Sequence, residues 1–253
     1  MIDIHTHVLP GIDDGPKTLD ESIELLKMFE ARKVKRIIAT SHITRNSPPI
    51  SEYLKAYTEL NIEKEKHNIQ VDLVLGSEIS LNEETVKRAE KNELITLGKS
   101  NYLLIELPLF GIYPVHINWI EKLKSYGYRL IIAHVERYEY LTNNLSKLDD
   151  LLERDLLVQM NANYLIEKKT RKHAKSLLSN GYVQYVASDS HNTKNRTPNL
   201  DEAYEIISQI FDNNTSQLLL RTNPNRTIEN KSIERIYFKK EKIINQLFKR
   251  HLS

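Results

Sequence analysis

A barrel of seven alternating βα units is the fold this sequence predicts, and three observations predict it. Short apolar runs alternate with helix-patterned segments along the chain. The runs are apolar throughout, which marks parallel strands covered on both faces. Histidines and carboxylates stand where nearly every run stops, and a closed parallel barrel brings the ends of many strands to one rim, whereas an open doubly wound sheet gathers ligands at one switch point. The length, 253 residues, is that of a single α/β barrel.

The elements follow in order. The first strand carries Ile4-His5-Thr6-His7, and Thr18-Leu19-Asp20-Glu21 is a capping-box pattern that opens a helix through Ile23, Leu26, Met28 and Phe29. Residues 36–40 form the second strand. Pro48-Pro49 precedes a long polar helix over 51–67, and 71–75 returns as a strand. Residues 83–91 read as a helix, 102–106 as a strand, and 116–126 as a helix ended by Gly127. Strands at 130–133 and 157–160 flank a helix over 145–154. A helix over 167–179 stops at Asn180-Gly181, and 185–187 is the last strand. Residues 1–230 are expected to form the barrel. Residues 231–253 are expected to add a basic helical tail that lays Ile236, Tyr237, Phe238, Ile243, Ile244, Leu247 and Phe248 on it, with contact to anionic lipid or an acidic partner as the second reading.

Composition narrows the function. A hydrophobic fraction of 40% supports a sizeable core, while 28% charged residues and a mean hydropathy of −0.48 describe a well-solvated surface. No run approaches the ~18–20 apolar residues of a membrane span, and the start lacks a secretory pattern, so a cytoplasmic location is expected. There is no cysteine, hence no disulfide and no cysteine nucleophile. The net charge is +2, but residues 231–253 hold +5, leaving −3 for residues 1–230 and no general attraction for nucleic acid.

The strand ends carry the chemistry. His5-x-His7 and Asp189-x-His191 are i, i+2 chelates whose side chains share a strand face, and His42, Glu78, Glu106 and His134 each close a strand. Asp13 and Asp14 precede Gly15-Pro16, and spacing does not choose between them. With one of these two, five His, two Asp and two Glu exceed the positions around one ion, so two or three metals are expected, of a kind suited to nitrogen and oxygen ligands. His67, His116, His173 and His251 fall in helical or tail patterns and are expected to face solvent. Arg137 and Arg196 lie in loops leaving the same rim, where a guanidinium could grip a phosphate, and Arg45 is a weaker candidate of the same kind.

Read together, Met1-Ile-Asp-Ile-His-Thr-His7, Asp13-Asp14-Gly15, Thr40-Ser41-His42, Gly76-Ser77-Glu78-Ile79, Leu104-Ile105-Glu106, Ile132-Ala133-His134-Val135-Glu136-Arg137 and Ala187-Ser188-Asp189-Ser190-His191-Asn192 resemble the PHP (polymerase and histidinol phosphatase) family. More narrowly they resemble its bacterial protein-tyrosine phosphatases of capsule and exopolysaccharide synthesis, in order from residue 1 to about residue 225. The resemblance implies a distorted (β/α)7 TIM-like barrel with three divalent metal ions, manganese being expected and zinc, iron or magnesium the alternatives. His5, His7, Glu78 and Asp189 would hold one ion. Glu78, Glu106 and His134 would hold a second, and Asp14, His42 and His191 the third. Arg137 and Arg196 match the family's substrate-binding arginines. After His42 this chain has Ile43 where some relatives carry His or Arg, which leaves Arg45 as a substitute phosphate contact.

The implied reaction is metal-assisted hydrolysis of phosphotyrosine without a phosphocysteine intermediate. The implied partner is the tyrosine-rich tail of an autophosphorylating bacterial tyrosine kinase. Competing readings are a PHP phosphatase of a small ester such as histidinol phosphate, an amidohydrolase, and a metal-bound regulator without turnover.

Overall fold

A computed structural model describes residues 1–235. The strands are β1 (Ile2–Thr6), β2 (Arg36–Ala39), β3 (His42–Ile43), β4 (Asp72–Leu75), β5 (Glu78–Ser80), β6 (Tyr102–Glu106), β7 (Arg129–Ile132), β8 (Leu157–Asn161) and β9 (Tyr185–Ala187), and every pairing is parallel. The helices are α1 (Leu19–Ala31), α2 (Ile50–Lys66), α3 (Glu83–Glu90), α4 (Pro114–Ser125), α5 (Glu139–Thr142), α6 (Leu145–Glu153), α7 (Ala162–Ile166), α8 (Arg171–Ser179), α9 (Leu200–Ile210), α10 (Asn213–Gln217) and α11 (Asn223–Ile228).

The seven βα units are present as a distorted barrel. Two of the seven strands are broken, so β2 and β4 continue after short gaps as β3 and β5. The wall splits into one sheet ordered β1-β2-β4 and another ordered β3-β5-β6-β7-β8-β9. The first break is at Thr40-Ser41, and Thr40 N–H turns to the Thr6 carbonyl at 2.7 Å. The second is at Gly76-Ser77, where a Cβ on Gly76 would lie 2.5 Å from Ile38 Cγ2. Closure comes from Asp189 N–H to the His5 carbonyl, 2.9 Å, and His7 N–H to the Ser190 carbonyl, 2.8 Å.

The interior is layered along the barrel axis. Ile4, Ile38, Tyr102, Leu104, Ile131, Leu157, Tyr185 and Ala187 pack into an inner apolar cluster, while the larger core lies between barrel and helices. Steps of two residues along a strand keep one face. They lead from Leu104 to Glu106, from Leu157 to Gln159 and Asn161, and from Ala187 to Asp189. The inner face is therefore apolar at the strand starts and polar at their ends.

The structure amends several expectations. Instead of closing strands, His42 and Glu78 open the short segments β3 and β5, because the chain breaks just before each. The helix expected over 167–179 begins at Arg171, and the short α7 precedes it across a turn in which Thr170 Oγ1 donates to the Tyr164 carbonyl. Helix α4 starts two residues earlier than expected because Pro114 suits a first helical turn. Residues 231–235 lie against the barrel through Ile233, which packs on the inner cluster, and through the Tyr102 hydroxyl, which donates to the Lys231 carbonyl at 2.7 Å. The apolar tail residues 236–248 and His251 lie outside the described residues.

Candidate metal centre

Local backbone features aim the side chains at the rim. The β1–β2 register shifts between Asp3 and Thr6, a bulge that lets the consecutive residues Ile4 and His5 both reach the interior. His134 and Asp189 follow their strands in left-handed backbone conformations, with φ of 32° and 56°. Such conformations cost roughly 1–3 kcal/mol each for residues with a Cβ and recur at functional sites.

Nine side chains named from the sequence converge there. Glu78, buried, is the hub: its Oε2 lies 3.3 Å from His5 Nε2, 3.4 Å from His7 Nε2 and 3.0 Å from His42 Nδ1, and its Oε1 lies 2.7 Å from His134 Nε2. Asp189 Oδ1 is 3.4 Å from His5 Nε2 and 3.6 Å from His7 Nε2. Glu106 Oε1 is 3.6 Å from His134 Nε2, and Asp14 Oδ1 is 3.1 Å from His191 Nε2 and 3.5 Å from His42 Nε2. Three ligand groups result, His5–His7–Asp189, Glu78–Glu106–His134 and His7–Asp14–His42–His191, each with its donor atoms within 4.8 Å of one another.

The hydrogen bonds behind the rings place their protons. His5 Nδ1 lies 3.1 Å from Gln159 Oε1, which must be the amide oxygen because it also accepts the His134 backbone N–H at 2.7 Å. His7 Nδ1 lies 2.7 Å from Asp13 Oδ2, and His191 Nδ1 lies 2.9 Å from the Asp189 carbonyl. Each of these oxygens only accepts, so each neutral ring carries its proton on Nδ1 and turns an Nε2 lone pair to the site. His5 Nε2 and His7 Nε2 then face one another at 3.2 Å, lone pair to lone pair, beside an anionic carboxylate. Glu78 Oε2 and His191 Nε2 are buried without a hydrogen bond. A constellation of converging electron pairs with orphaned acceptors calls for cations, and imidazole nitrogen with carboxylate oxygen is a donor set for manganese, zinc or iron. The residues fit divalent metal.

Without metal, protons take part of that role. Burial opposes charge on His7, but the hydrogen bond to Asp13 and the nearby carboxylates of Asp13 and Glu78 prevail and push it up to about 10. Burial likewise opposes ionisation of Glu78, yet His5, His134 and His42 hold its carboxyl well below the usual range. Asp189 is also held low against burial, by His5, His7, Arg196 and Arg137. His191 is pushed down to about 4 by burial and by the charge of His7.

The rim arginines both turn to the cluster. Arg137 Nη2 is 2.5 Å and Arg196 Nη2 2.8 Å from Asp189 Oδ2, and Arg196 Nη1 is 3.4 Å from Asp14 Oδ2. At 37% and 35% side-chain exposure they remain open to a ligand. Arg45 is exposed and acts on Glu83 of α3. His67 pairs with Glu63, His116 with the Tyr113 backbone and His173 with Tyr164, all outside the cluster. Sequence reasoning missed Asp13 as the partner of His7, and missed Gln159 and Asn161. The alternation Leu157, Gln159, Asn161, polar residues in step on an otherwise apolar strand, was the available signal.

Comparison with known proteins places this geometry. The model of the family "Capsular polysaccharide synthesis, CpsB/CapC" matches residues 1–229. Tyrosine-protein phosphatase CpsB of Streptococcus pneumoniae is 31% identical over 238 residues, 90% of this chain and 98% of that one. Putative tyrosine-protein phosphatase CapC of Staphylococcus aureus is 34% identical over 202 residues, 78% of this chain and 79% of that one. Crystal structures of YwqE from Bacillus subtilis and CpsB from Streptococcus pneumoniae, described as unique metal-dependent tyrosine phosphatases, match with a TM-score of 0.88 and 29% identity over 93% of this chain and 97% of the matched chain.

Proposed function

The chain belongs to the CpsB/CapC family of capsular polysaccharide synthesis, and from that premise we propose that it is a metal-dependent protein-tyrosine phosphatase. The observation that carries the reading is the buried Glu78 carboxylate within 3.4 Å of four imidazoles, with three ligand groups around it.

His5, His7, Glu78 and Asp189 would hold one ion, Glu78, Glu106 and His134 a second, and Asp14, His42 and His191 a third, with manganese the expected metal. Divalent ions held there would supply Lewis acidity and bring the pKa of a water from 15.7 towards ~7. Arg137 and Arg196 release Asp189 in part and offer their guanidinium forks to the equatorial phosphoryl oxygens, where charge builds in the transition state. The bond from phosphorus to the tyrosyl oxygen breaks as water adds in line. The leaving phenol has a pKa near 10, so it needs less protonation than a serine alkoxide. Leu109, Phe110 and Tyr113 are exposed on the connection after Glu106 and offer an apolar rim to the tyrosyl ring.

The substrate that fits is phosphotyrosine in the tail of a cytoplasmic, autophosphorylating bacterial tyrosine kinase that regulates capsule or exopolysaccharide synthesis. Among the described residues no helix is long and apolar enough to cross a membrane. The test is hydrolysis of a phosphotyrosine peptide by metal-stripped protein with manganese, zinc, magnesium or nothing restored, beside a phosphoserine peptide and histidinol phosphate. Metal-dependent turnover confined to phosphotyrosine is expected. Turnover of the small ester alone would replace the substrate assignment, and silence with metal bound would favour a regulator.

A further inference from the structure

Among the described residues, one of the seven βα units supplies no candidate ligand, and it is the unit built on β8. That strand nevertheless sends two polar side chains, Gln159 and Asn161, along the face that begins at Leu157 in the inner cluster. Gln159 Oε1 accepts from His5 Nδ1, 3.1 Å, and from the His134 backbone N–H, 2.7 Å. Gln159 Nε2 donates to Asn161 Oδ1 at 2.9 Å, and Asn161 Nδ2 donates to Asp189 Oδ2 at 2.9 Å. The Glu136 carboxylate accepts the Asn161 backbone N–H, at 3.2 and 3.3 Å.

We infer that Gln159 and Asn161 are positioning residues of the metal centre: a single polar thread on β8 sets the tautomer of His5, pins the backbone of His134 and orients Asp189, and so prepares ligands from three other strands. The chemistry requires such a part. A ligating imidazole must present a bare nitrogen, and an acceptor behind the ring guarantees which nitrogen that is. Gln159 is fully buried, where an amide without hydrogen-bond partners would be costly, and its oxygen is satisfied by two of the candidate ligand residues while its Nε2 is satisfied by Asn161. The second of its acceptor contacts gives the backbone N–H of His134 a buried partner at that residue's left-handed turn. The inference rests on the metal reading of the site but not on the identity of the substrate.

The test is metal affinity, measured by competition with a chelating dye on the full chain after metal removal. Loss of an outer partner of a metal ligand typically costs 10–100-fold in metal affinity. Gln159→Leu, close in volume but unable to accept, is expected to weaken at least one ion by that factor. Gln159→Glu keeps the acceptor behind His5 and is expected to recover most of it. The Asn161 side chain touches a single candidate ligand, Asp189, beside its contact with Gln159, so Asn161→Ala should weaken binding less, which keeps the test open if Gln159→Leu fails to fold. Nitrogen NMR of ¹⁵N-histidine-labelled, metal-free protein, taken to a pH at which the His5 ring is neutral, should show its proton on Nδ1 in the wild type and mixed tautomers in Gln159→Leu. Equal affinity in wild type, Gln159→Leu and Asn161→Ala would overturn the inference alone, whereas wild-type protein that takes up no metal would overturn the metal reading with it.

Discussion

Asp13 accepts a 2.7 Å hydrogen bond from His7 Nδ1, while its more exposed sequence neighbour Asp14 lies 4.0 Å from that nitrogen and 3.1 Å from His191 Nε2. The Asp13 side chain is 5% exposed and also accepts the backbone N–H groups of Gly15 and His42, both at 3.0 Å. Asp14 is 58% exposed and makes its nearer contacts with His191, His42 and Arg196, with His7 more distant at 4.0 Å. The pair therefore separates into a residue that orients a ligand and a candidate ligand. Asp14→Ala should lower the metal content by one ion per chain, read by elemental mass spectrometry, and leave thermal stability of the metal-free protein nearly unchanged. Asp13→Ala should instead destabilise the metal-free protein by about 1–3 kcal/mol, because it strips two backbone donors and an imidazole of their acceptor. The reverse assignment of the two losses would refute this division.

Both rim arginines rest on Asp189 Oδ2, so removing either leaves a buried carboxylate with less compensation and, under the proposed function, one guanidinium fewer for the phosphate. Arg196→Ala and Arg137→Ala should each lower kcat/KM on a phosphotyrosine peptide by about 10²–10³, the usual scale for losing one donor at a developing charge. Lysine at either position should restore little, since a point charge lacks the fork that meets two oxygens at once. Rates within threefold of wild type after both single changes would remove the arginines from the mechanism.

The pH dependence of the metal-free protein follows from the crowded lone pairs. His7 is raised to about 10 in the folded state by its carboxylate partners, against a usual value near 6.5, so the folded chain binds more protons than the unfolded one between those limits. Its stabilisation is complete below pH 6.5 and is lost as pH rises towards 10. Urea midpoints of metal-stripped protein should fall from pH 6.5 to 9.5, and saturating manganese should flatten the slope. A midpoint that climbs over this range would contradict the proton assignment.

Much of this was legible in the sequence, for identifiable reasons. Strands buried on both faces betray themselves by unbroken apolar runs, so β6, β7 and β9 emerged with boundaries within a residue, and His134 and Asp189 stood out as polar residues just past them. The breaks before His42 and Glu78 were not legible, because the contacts at them lie between strands: Thr40 N–H to the Thr6 carbonyl at the first, and Gly76 packed against Ile38 at the second. The choice between Asp13 and Asp14 was equally hidden from spacing, since it is made by the direction each side chain takes after the loop closes over His7. Gln159 escaped notice because a neutral amide carries no metal chemistry of its own, and its role exists only once β1, β7 and β8 are side by side.

The connection after β6 bears on why the substrate would be a tyrosyl ester. Its root is fixed beside the site: Leu107 N–H donates to the Tyr138 hydroxyl at 2.9 Å, and the Tyr140 hydroxyl donates to the Pro108 carbonyl at 3.0 Å, tying it to the segment that carries Arg137. Beyond the root, Leu109, Phe110 and Tyr113 are exposed, as is Val115 in the first turn of α4, and Phe110 is 94% exposed. A phenylalanine left in water contributes almost nothing to folding, and apolar surface gathered at a catalytic rim marks a recognition surface. An aromatic pair contributes about 0.5–1.5 kcal/mol beyond the area it covers. Phe110→Ala should therefore raise KM for a phosphotyrosine peptide by about 2–12-fold while kcat, metal content and melting temperature hold, since the ring touches neither core nor ligands. An unchanged KM would place recognition of the tyrosyl ring elsewhere on the rim, and a fall in kcat with KM constant would mean that the loop acts on the chemical step.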